Sequence, residues 1–428
     1  MFIPFPKFRT VAVGLTLTVA SASWAADPLT LVEAQRIAIG RSQQLVAQGA
    51  LTAAAREQAI AAGQLPDPVL KFGIDNLPAD GVDRGSLTRD FMTMRRIGVM
   101  QEITRSGKRQ LRAERFERDA QKVQAQRQLT LANLQRDTAL AWLERYYADA
   151  IRELVRQQAE ETRLQVQAAD TSYSTGRGSQ ADVFAARSAV MQLEDRLSQI
   201  DRQSRNAGLM LTRWVGAPDA DRPLSGSLPW HTTPLRGEVS SGHLKQHPDL
   251  LLISAEVDSA ETDARLAQAN KQSDWAIEAS YAQRGPAYSN MISIGVSIPL
   301  QWDQKNRQNR ELAAKLALVD EAKARYEDML RSRESEVRGW LNDWQTGKDR
   351  VARYRNELIP TARQRTEAAL TSYRTGKGDL ASALAARRDE IDTRIQALTV
   401  EMETARSWAQ LKYLNPEHNL PAHTKEQQ

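Results

Sequence analysis

The amino-acid sequence contains one long unit twice, and this repeat constrains the fold more than any other feature. Residues 171–187 read TSYSTGRGSQADVFAAR and residues 371–387 read TSYRTGKGDLASALAAR, so that 10 of 17 positions are identical at an offset of 200 residues. Upstream, the dipeptides at 98–99 and 295–296 are both Gly-Val, at an offset of 197. Both copies are therefore expected to build the same elements in the same order.

Each copy predicts the same succession of elements. A helical stretch comes first, followed by two short extended segments, a very long helical stretch, a break that contains glycine, and a last helix. The long stretch of the first copy, 108–174, contains neither Gly nor Pro and would be about 100 Å long at 1.5 Å per residue. Its counterpart at 304–374 contains Pro360, which predicts a bend but not the end of the helix.

The ends of the chain and the junction between the copies have their own patterns. Lys7 and Arg9 precede a short apolar stretch, and small residues up to Ala25 form a signal-peptidase site, which together predict a secretory signal peptide. Several prolines interrupt the helical pattern between the copies. The predicted segments are a signal peptide at 1–25, a first structural repeat at 26–215, a linker at 216–247, a second structural repeat at 248–415 and a C-terminal tail at 416–428.

The extended segments alternate between apolar and polar residues. In the clearest of them, Ile292, Ile294 and Val296 alternate with serine and glycine. A period of two predicts a strand with one apolar face. One segment is weaker, because the adjacent Arg95 and Arg96 interrupt its alternation. The four predicted strands are 69–75, 93–102, 275–281 and 291–299.

Strands of this kind suit either a membrane barrel or a half-buried sheet in a soluble domain. The apolar stretch near the N-terminus is shorter than the about 20 residues that a membrane helix needs, so a membrane role would depend on the strands. Four strands leave two edges whose backbone groups would find no partner in lipid, so strands of other subunits must close the barrel. Three subunits are favoured over two, because an eight-stranded barrel is nearly filled by its own side chains.

Composition excludes several classes of protein. The chain has no cysteine, so it has no disulfide, no thiolate metal site and no cysteine nucleophile. A net charge of only +5, spread along helices, favours a solvated surface over nucleic-acid binding. His243 and His247 are four residues apart and could bind a metal on one helix face, but surface or helix-start histidines are the favoured interpretation. Because the sequence shows no set of catalytic residues, the chain is predicted not to be an enzyme and not to bind a cofactor or a metal.

With its duplicated layout, its strand pairs and its two Tyr-x-x-Gly tips, the chain resembles the TolC family of outer-membrane efflux factors. The resemblance implies a mainly α fold with a small β part: a long α-helical barrel of hairpins in the periplasm and a twelve-stranded β-barrel in outer-membrane lipid, completed as a homotrimer. It also implies passive export, with a periplasmic adaptor and an inner-membrane RND-type pump as partners.

A subgroup of that family is indicated by the basic segment at 106–109, Ser-Gly-Lys-Arg, just after the second predicted strand. The segment is similar to the strand-to-helix junction of heavy-metal efflux components, which makes metal cations the leading cargo. Basic residues at a membrane boundary are the alternative explanation. Drug or small-solute efflux and a type I secretion duct remain open, as do a periplasmic adaptor and a coiled-coil scaffold, which belong to other classes of protein.

The two hairpin tips are the candidate functional site, and the resemblance implies that they meet the adaptor. The family often has acidic residues just past the second tip, but those positions are Ser382 and Ala385 here. Asp182 and Asp379 are therefore the candidate gate residues, and a helix-start role is the alternative for Asp182. The candidate docking residues are Tyr173, Thr175, Gly176, Arg177 and Gly178 in the first tip and Tyr373, Thr375, Gly376, Lys377 and Gly378 in the second.

Overall fold

The first copy consists of two helices, two strands and a long helical hairpin. The computed structural model describes residues 27–176, 178–226, 228–233 and 244–416, so the predicted signal peptide, Arg177, His243 and the tail beyond 416 lie outside the described residues. In chain order the elements of the first copy are α1 (Leu31–Arg41), α2 (Gln43–Ala62), β1 (Val69–Asp75), β2 (Met94–Ile103), α3 (Ser106–Ser174) and α4 (Gln180–Val215).

The second copy repeats this order with one helix in place of the first two. A short helix, α5 (Ala217–Ala220), lies between the copies. The mainly helical fold with a small β part that the sequence predicted is confirmed. The elements of the second copy are α6 (Pro248–Ala269), β3 (Trp275–Gln283), β4 (Met291–Ser297), α7 (Gln308–Arg353), α8 (Ile359–Arg374) and α9 (Leu380–Lys412).

The long helix of the second copy continues through Pro360. Residues Tyr354–Leu358 form a single π-helical turn between α7 and α8, and Pro360 lies in the first turn of α8. Proline has no N–H to donate, so a wide turn placed just before it absorbs the missing hydrogen bond while the chain stays helical. In the first copy, by contrast, α3 runs for 69 residues as one α-helix.

The four strands form one antiparallel sheet in the order β1-β2-β3-β4. The central pair, β2 and β3, joins the two copies. The register sets Phe72, Ile97, Tyr281 and Ile292 side by side on one face. Phe72 and Ile292 are 73% and 78% exposed, so this apolar face is uncovered within the chain. In the part of the chain that the structure describes, no further strand pairs with β1 or β4.

The main core lies where helices of both copies converge, midway along the long helices. Trp142 of α3 is fully buried there, and its Nε1 donates to the backbone oxygen of Leu29 at 3.1 Å. Nε1 of Trp344 in α7 donates to the backbone oxygen of Trp230 at 2.6 Å. Leu250 and Leu411 complete the contact between the copies. None of the helices in the described ranges combines the length and the apolar character needed to cross a membrane.

Gly347 lies at a close approach of α7 and α9. A Cβ added to Gly347 would overlap the Thr404 hydroxyl and lie 3.1 Å from its Cβ. Thr404 is 1% exposed, and its hydroxyl donates to the Val400 carbonyl at 2.7 Å, so the threonine has no room to move aside. The contact therefore depends on the absence of a side chain at this position.

His247 is buried at the start of α6, and its environment favours the neutral form. Its Nδ1 accepts the N–H of Asp249 at 3.2 Å and so caps the helix. Burial, and then the positive charges of Arg333 and Arg136, lower the pKa of His247 to about 4. The Asp249 carboxylate lies 3.5 Å from Nδ1, but it also binds Arg333, which offsets its attraction for a protonated imidazole.

We expect Gly347→Ala to lower the free energy of unfolding by about 1–3 kcal/mol, the usual cost of overpacking a close helix contact. The matched control is Gly339→Ala in the same helix, where an added Cβ has nothing within 4 Å. The control should raise the free energy by about 0.5–1 kcal/mol, because alanine favours the helix over glycine. Thermal melting followed by circular dichroism measures both. Equal gains for the two variants would contradict the close contact.

We expect the folded state to lose stability as the pH falls through the interval from 6.5 to about 4, the ordinary and folded pKa values of His247. A lowered folded pKa means that the contribution is complete above the unfolded value and is lost below it. The loss amounts to about 3 kcal/mol at roughly 1.4 kcal/mol per pKa unit. His247→Asn keeps a capping oxygen but cannot be protonated, so its melting temperature should depend less steeply on pH over this interval. Identical slopes for the variant and the wild type would refute this assignment.

Candidate functional site

Both hairpin tips reverse the chain with the same backbone conformation. Gly176 has φ +71° and Gly376 has φ +70°, values in the left-handed region that glycine adopts without strain. The N–H of each glycine donates to the carbonyl of Tyr173 or Tyr373, at 3.0 Å in both tips. The duplicated Tyr-x-x-Gly pattern thus corresponds to a duplicated turn that ends α3 and α8.

A second glycine in each tip permits a close crossing of the backbone. A Cβ at Gly178 would lie 3.0 Å from the Cβ of Ser172, and a Cβ at Gly378 would lie 2.8 Å from Ser372 Oγ. The two N–H groups donate to the carbonyls of these serines, at 2.9 and 3.1 Å. The tips therefore present exposed backbone with little side-chain cover, and Lys377 stands exposed beside the second one.

The candidate gate residues both cap the helices that return from the tips. Asp182 forms a capping box with Ser179: its carboxylate accepts the Ser179 N–H at 3.0 Å and the Ser179 hydroxyl at 2.7 Å. Asp379 accepts the Ser382 N–H at 2.6 Å and its hydroxyl at 3.0 Å. The hydrogen bond from the Ser382 backbone lowers the pKa of Asp379. Both carboxylates therefore have a structural role, and a gating role stays a prediction.

The two tips pack against each other. Leu380, at the start of α9, lies with Val183 and Ala186 of α4 and with Ala169 of α3 in a small apolar cluster. Tyr373 is partly buried against this cluster. Burial, and then the nearby negative charge of Asp182, raise the pKa of its hydroxyl. The structure thus brings the tip residues of both copies into one site, although the sequence places them 200 residues apart.

A groove beside the tips was missed by sequence reasoning. It has a volume of about 330 Å³ and lies between α4 and α9. Its floor is built from small side chains, among them Ala185 and Ala385, which occupy equivalent positions in the two copies. Arg196, which binds Asp392, and Arg388 stand along it. The signal for the groove was the repeat itself, because Ala185 and Ala385 both belong to the duplicated segment.

The basic segment 106–109, after β2, connects the sheet to the helices through buried polar contacts. Lys108 is only 5% exposed, and its Nζ binds the Asp274 carboxylate at 2.9 Å and the Gln272 carbonyl. Arg109 donates to the Gly63 carbonyl at 3.2 Å. These contacts tie the start of α3 to the chain that enters β3 and to the end of α2. These residues therefore hold the sheet in place against the helices.

The face of the sheet opposite the apolar one is polar. Lys71 binds Glu278 at 2.7 Å across the sheet, and Arg96 binds Asp75 at 3.1 Å. An exposed apolar face backed by a face that holds ion pairs is typical of a strand between lipid and an aqueous lumen. Arg95 interrupts the apolar pattern of β2, as the sequence suggested, because it lies on the apolar face at the end of the strand, whereas Arg96 lies on the polar face.

The described residues contain no group of histidine and acidic side chains that could hold a metal ion. His247 caps α6, as described above, while its potential partner His243 lies outside the described residues. His231 stacks edge-on against Trp230, with ring centroids 5.9 Å apart. The described histidines are therefore accounted for by packing and capping.

Comparison with known proteins gives one consistent result. Residues 239–414 match the family described as outer membrane efflux protein. The cobalt-zinc-cadmium resistance protein CzcC of Cupriavidus metallidurans is 25% identical over 388 residues, which cover 89% of this chain and 88% of CzcC. Among solved structures, CusC superposes with a TM-score of 0.78 at 14% identity, covering 96% of this chain and 99% of CusC. A membrane protein from Pseudomonas aeruginosa gives 0.77 at 16% identity, covering 90% and 93%.

These findings confirm the resemblance to outer-membrane efflux factors. The adaptor and scaffold alternatives do not fit, because the fold match covers 96% of this chain and 99% of CusC. The repeat, the exposed apolar sheet and the paired helical hairpins now have one explanation: residues 239–414 match the outer membrane efflux protein family, and the chain as a whole is similar in sequence and fold to efflux channels of the outer membrane.

Proposed function

We propose that the chain is the outer-membrane duct of a three-part efflux assembly, working as a homotrimer with a periplasmic adaptor and an inner-membrane RND-type pump. Its cargo is heavy-metal cations, which pass through without being chemically changed. The duct therefore needs no enzymatic activity and no resident cofactor. The unpaired edges of the four-stranded sheet are the observation that carries the proposal.

The trimer follows from those edges. β1 and β4 each leave one row of backbone donors and acceptors without a strand partner in the described chain. In lipid every such group needs a partner, so the edges must pair with neighbouring subunits. Three subunits with a four-stranded sheet each give about twelve strands, enough for a barrel with an open lumen. At roughly 1.5 Å per residue, α3 alone extends this tube by about 100 Å into the periplasm.

The tips support docking of the adaptor. They combine a half-buried backbone at Gly178 and an exposed backbone at Gly378 with an adjacent groove between α4 and α9. A helical hairpin of a partner can lay its apolar face into such a groove, with small side chains permitting close approach. Three copies of Asp182 and Asp379 would also place acidic rings near the narrow end, which would attract cations.

The cargo assignment rests on the similarity to CzcC, a protein named for cobalt, zinc and cadmium resistance. A duct passes its cargo on and does not have to bind it tightly. The limits of the signal peptide, the two repeats, the linker and the tail stay predictions.

Deletion of the gene is expected to reduce tolerance to transition-metal cations, and a plasmid copy should restore it. The reason is that cargo moved by the pump would have no exit through the outer membrane. Minimal inhibitory concentrations for a panel of metal salts, organic toxicants and detergents measure the effect. Unchanged tolerance to all metals, with lost tolerance to organic compounds, would overturn the metal assignment and favour drug efflux. Recovery of the protein as a soluble monomer would overturn the duct itself.

Ala385→Trp is expected to reduce tolerance to the level of the deletion strain, because the indole would fill the groove that Ala385 lines. The protein should still assemble in the outer membrane, since the groove is open to solvent. The matched control is Asp328→Trp, which places the same bulk on an 80% exposed position of α7. Cross-linking to the adaptor should fail for the first variant only. If both variants retain full tolerance, the groove is not the docking site.

A further inference from the structure

Arginines cluster at the end of the sheet away from the helices, and one of them, Arg95, lies on the apolar side of the sheet. All four strands connect to helices at one end, while the loops 76–93 and 284–290 join them at the other. In an outer-membrane channel whose helices lie in the periplasm, these loops face the cell exterior. We call this end of the sheet, with its two loops, the outer rim.

Arg95 lies on the lipid-facing side of the outer rim. The register sets it beside Ile74 of β1 and Gln283 of β3, two residues from Ile97, which belongs to the exposed apolar face. Its neighbour Arg96 lies on the opposite face and binds Asp75 at 3.1 Å. β2 is a central strand, so neighbouring subunits that pair with the edges of the sheet would leave Arg95 uncovered.

Arg95 and Arg284, both at the outer rim, have no acidic partner among the described residues. Arg95 donates from Nη2 to the Arg284 carbonyl at 3.2 Å, and its buried Nε has no hydrogen-bond partner. Within the described residues, no carboxylate lies within 4 Å of Arg95 or Arg284, although the nearby Arg89 and Arg96 both have one. Each of the two unpaired guanidinium groups retains donors that no described residue uses.

The second cation is held in place by the loops. Arg284 donates from Nε to the Phe91 carbonyl at 3.0 Å and lies over the Tyr288 ring, 4.9 Å from its centroid. The loops touch so closely that a Cβ at Gly285 would overlap the Thr88 carbonyl. Phe91 and Tyr288 are 56% and 38% exposed. Exposed aromatic rings next to a basic group are typical of the boundary between lipid and water.

We propose that Arg95 and Arg284 bind the phosphate groups of a glycolipid in the outer leaflet. Guanidinium groups bind phosphate through paired, charge-assisted hydrogen bonds, and phosphate is the anion that a membrane surface presents at this depth. The acyl chains of the same lipid would lie along the apolar face below, against Ile97 and Phe72. This site rests on the membrane placement of the sheet, and it fixes the height of the channel in the bilayer.

The test compares lipids that remain bound after purification of the assembled channel from outer membranes in a mild detergent. Native mass spectrometry and an assay of glycolipid phosphate measure them. We expect the wild type to retain phosphorylated glycolipid and R95Q/R284Q to retain roughly tenfold less, because the lost charge-assisted bonds weaken binding by about this factor or more. The matched control is R96Q, which removes a cation of the same strand from the other face and should leave the bound lipid unchanged.

Equal glycolipid on R95Q/R284Q and on the wild type would overturn the site, as would an equal loss in R96Q. Retention of phospholipid or free phosphate alone would overturn the glycolipid assignment. Should the double variant fail to assemble, R95Q alone decides, because Arg95 makes one hydrogen bond to the loops where Arg284 makes two. Membrane fractionation separates the two levels of inference: a wild type absent from the outer membrane refutes the duct, whereas a membrane-bound channel with unchanged lipid refutes this site alone.

Discussion

Backbone hydrogen bonding at the edges of a small sheet governs this molecule. A strand in lipid cannot leave its N–H and C=O groups unpaired, and the described part of the chain supplies four strands with two open edges. In the proposed trimer, neighbouring subunits supply the missing partners. The large exposed apolar face, which would be a liability in a soluble monomer, has the same explanation, because the face is suited to lipid and the edges to neighbouring strands.

The helical part meets a different requirement, which is to keep two copies of one unit parallel over a long distance with little apolar surface. Its core is concentrated near Trp142 and Trp344, whose indole nitrogens bind backbone carbonyls of Leu29 and Trp230. Beside this core, the absence of a side chain at Gly347 lets α7 approach Thr404 of α9 closely. At the far end, the tips of both copies share one small apolar cluster.

Local patterns allowed most of the fold to be predicted, because alternation, glycine and the repeat act over short stretches of chain. Ile292 and Ile294 predicted their strand, and Gly176 and Gly376 predicted the tips. Properties that depend on contacts between distant residues were not predictable. The groove needs α4 beside α9, the neutral His247 needs its burial and the nearby Arg333, and the place of Arg95 between Ile74 and Gln283 needs the register of the sheet. The adjacent arginines in fact obscured the pattern, because one of them ends the apolar face.

The π-helical turn at Tyr354–Leu358 has a consequence for the history of the two copies. Such a turn accommodates one more residue than an α-helical turn, and α3 contains none. The offset between equivalent residues is 197 at the Gly-Val of the strands and 200 at the tips, so the copies have gained or lost residues between these landmarks. Equivalent positions must therefore be counted outward from each landmark separately. The offset between the two repeats can thus change along the long helices, while the strands at one end and the tips at the other remain equivalent.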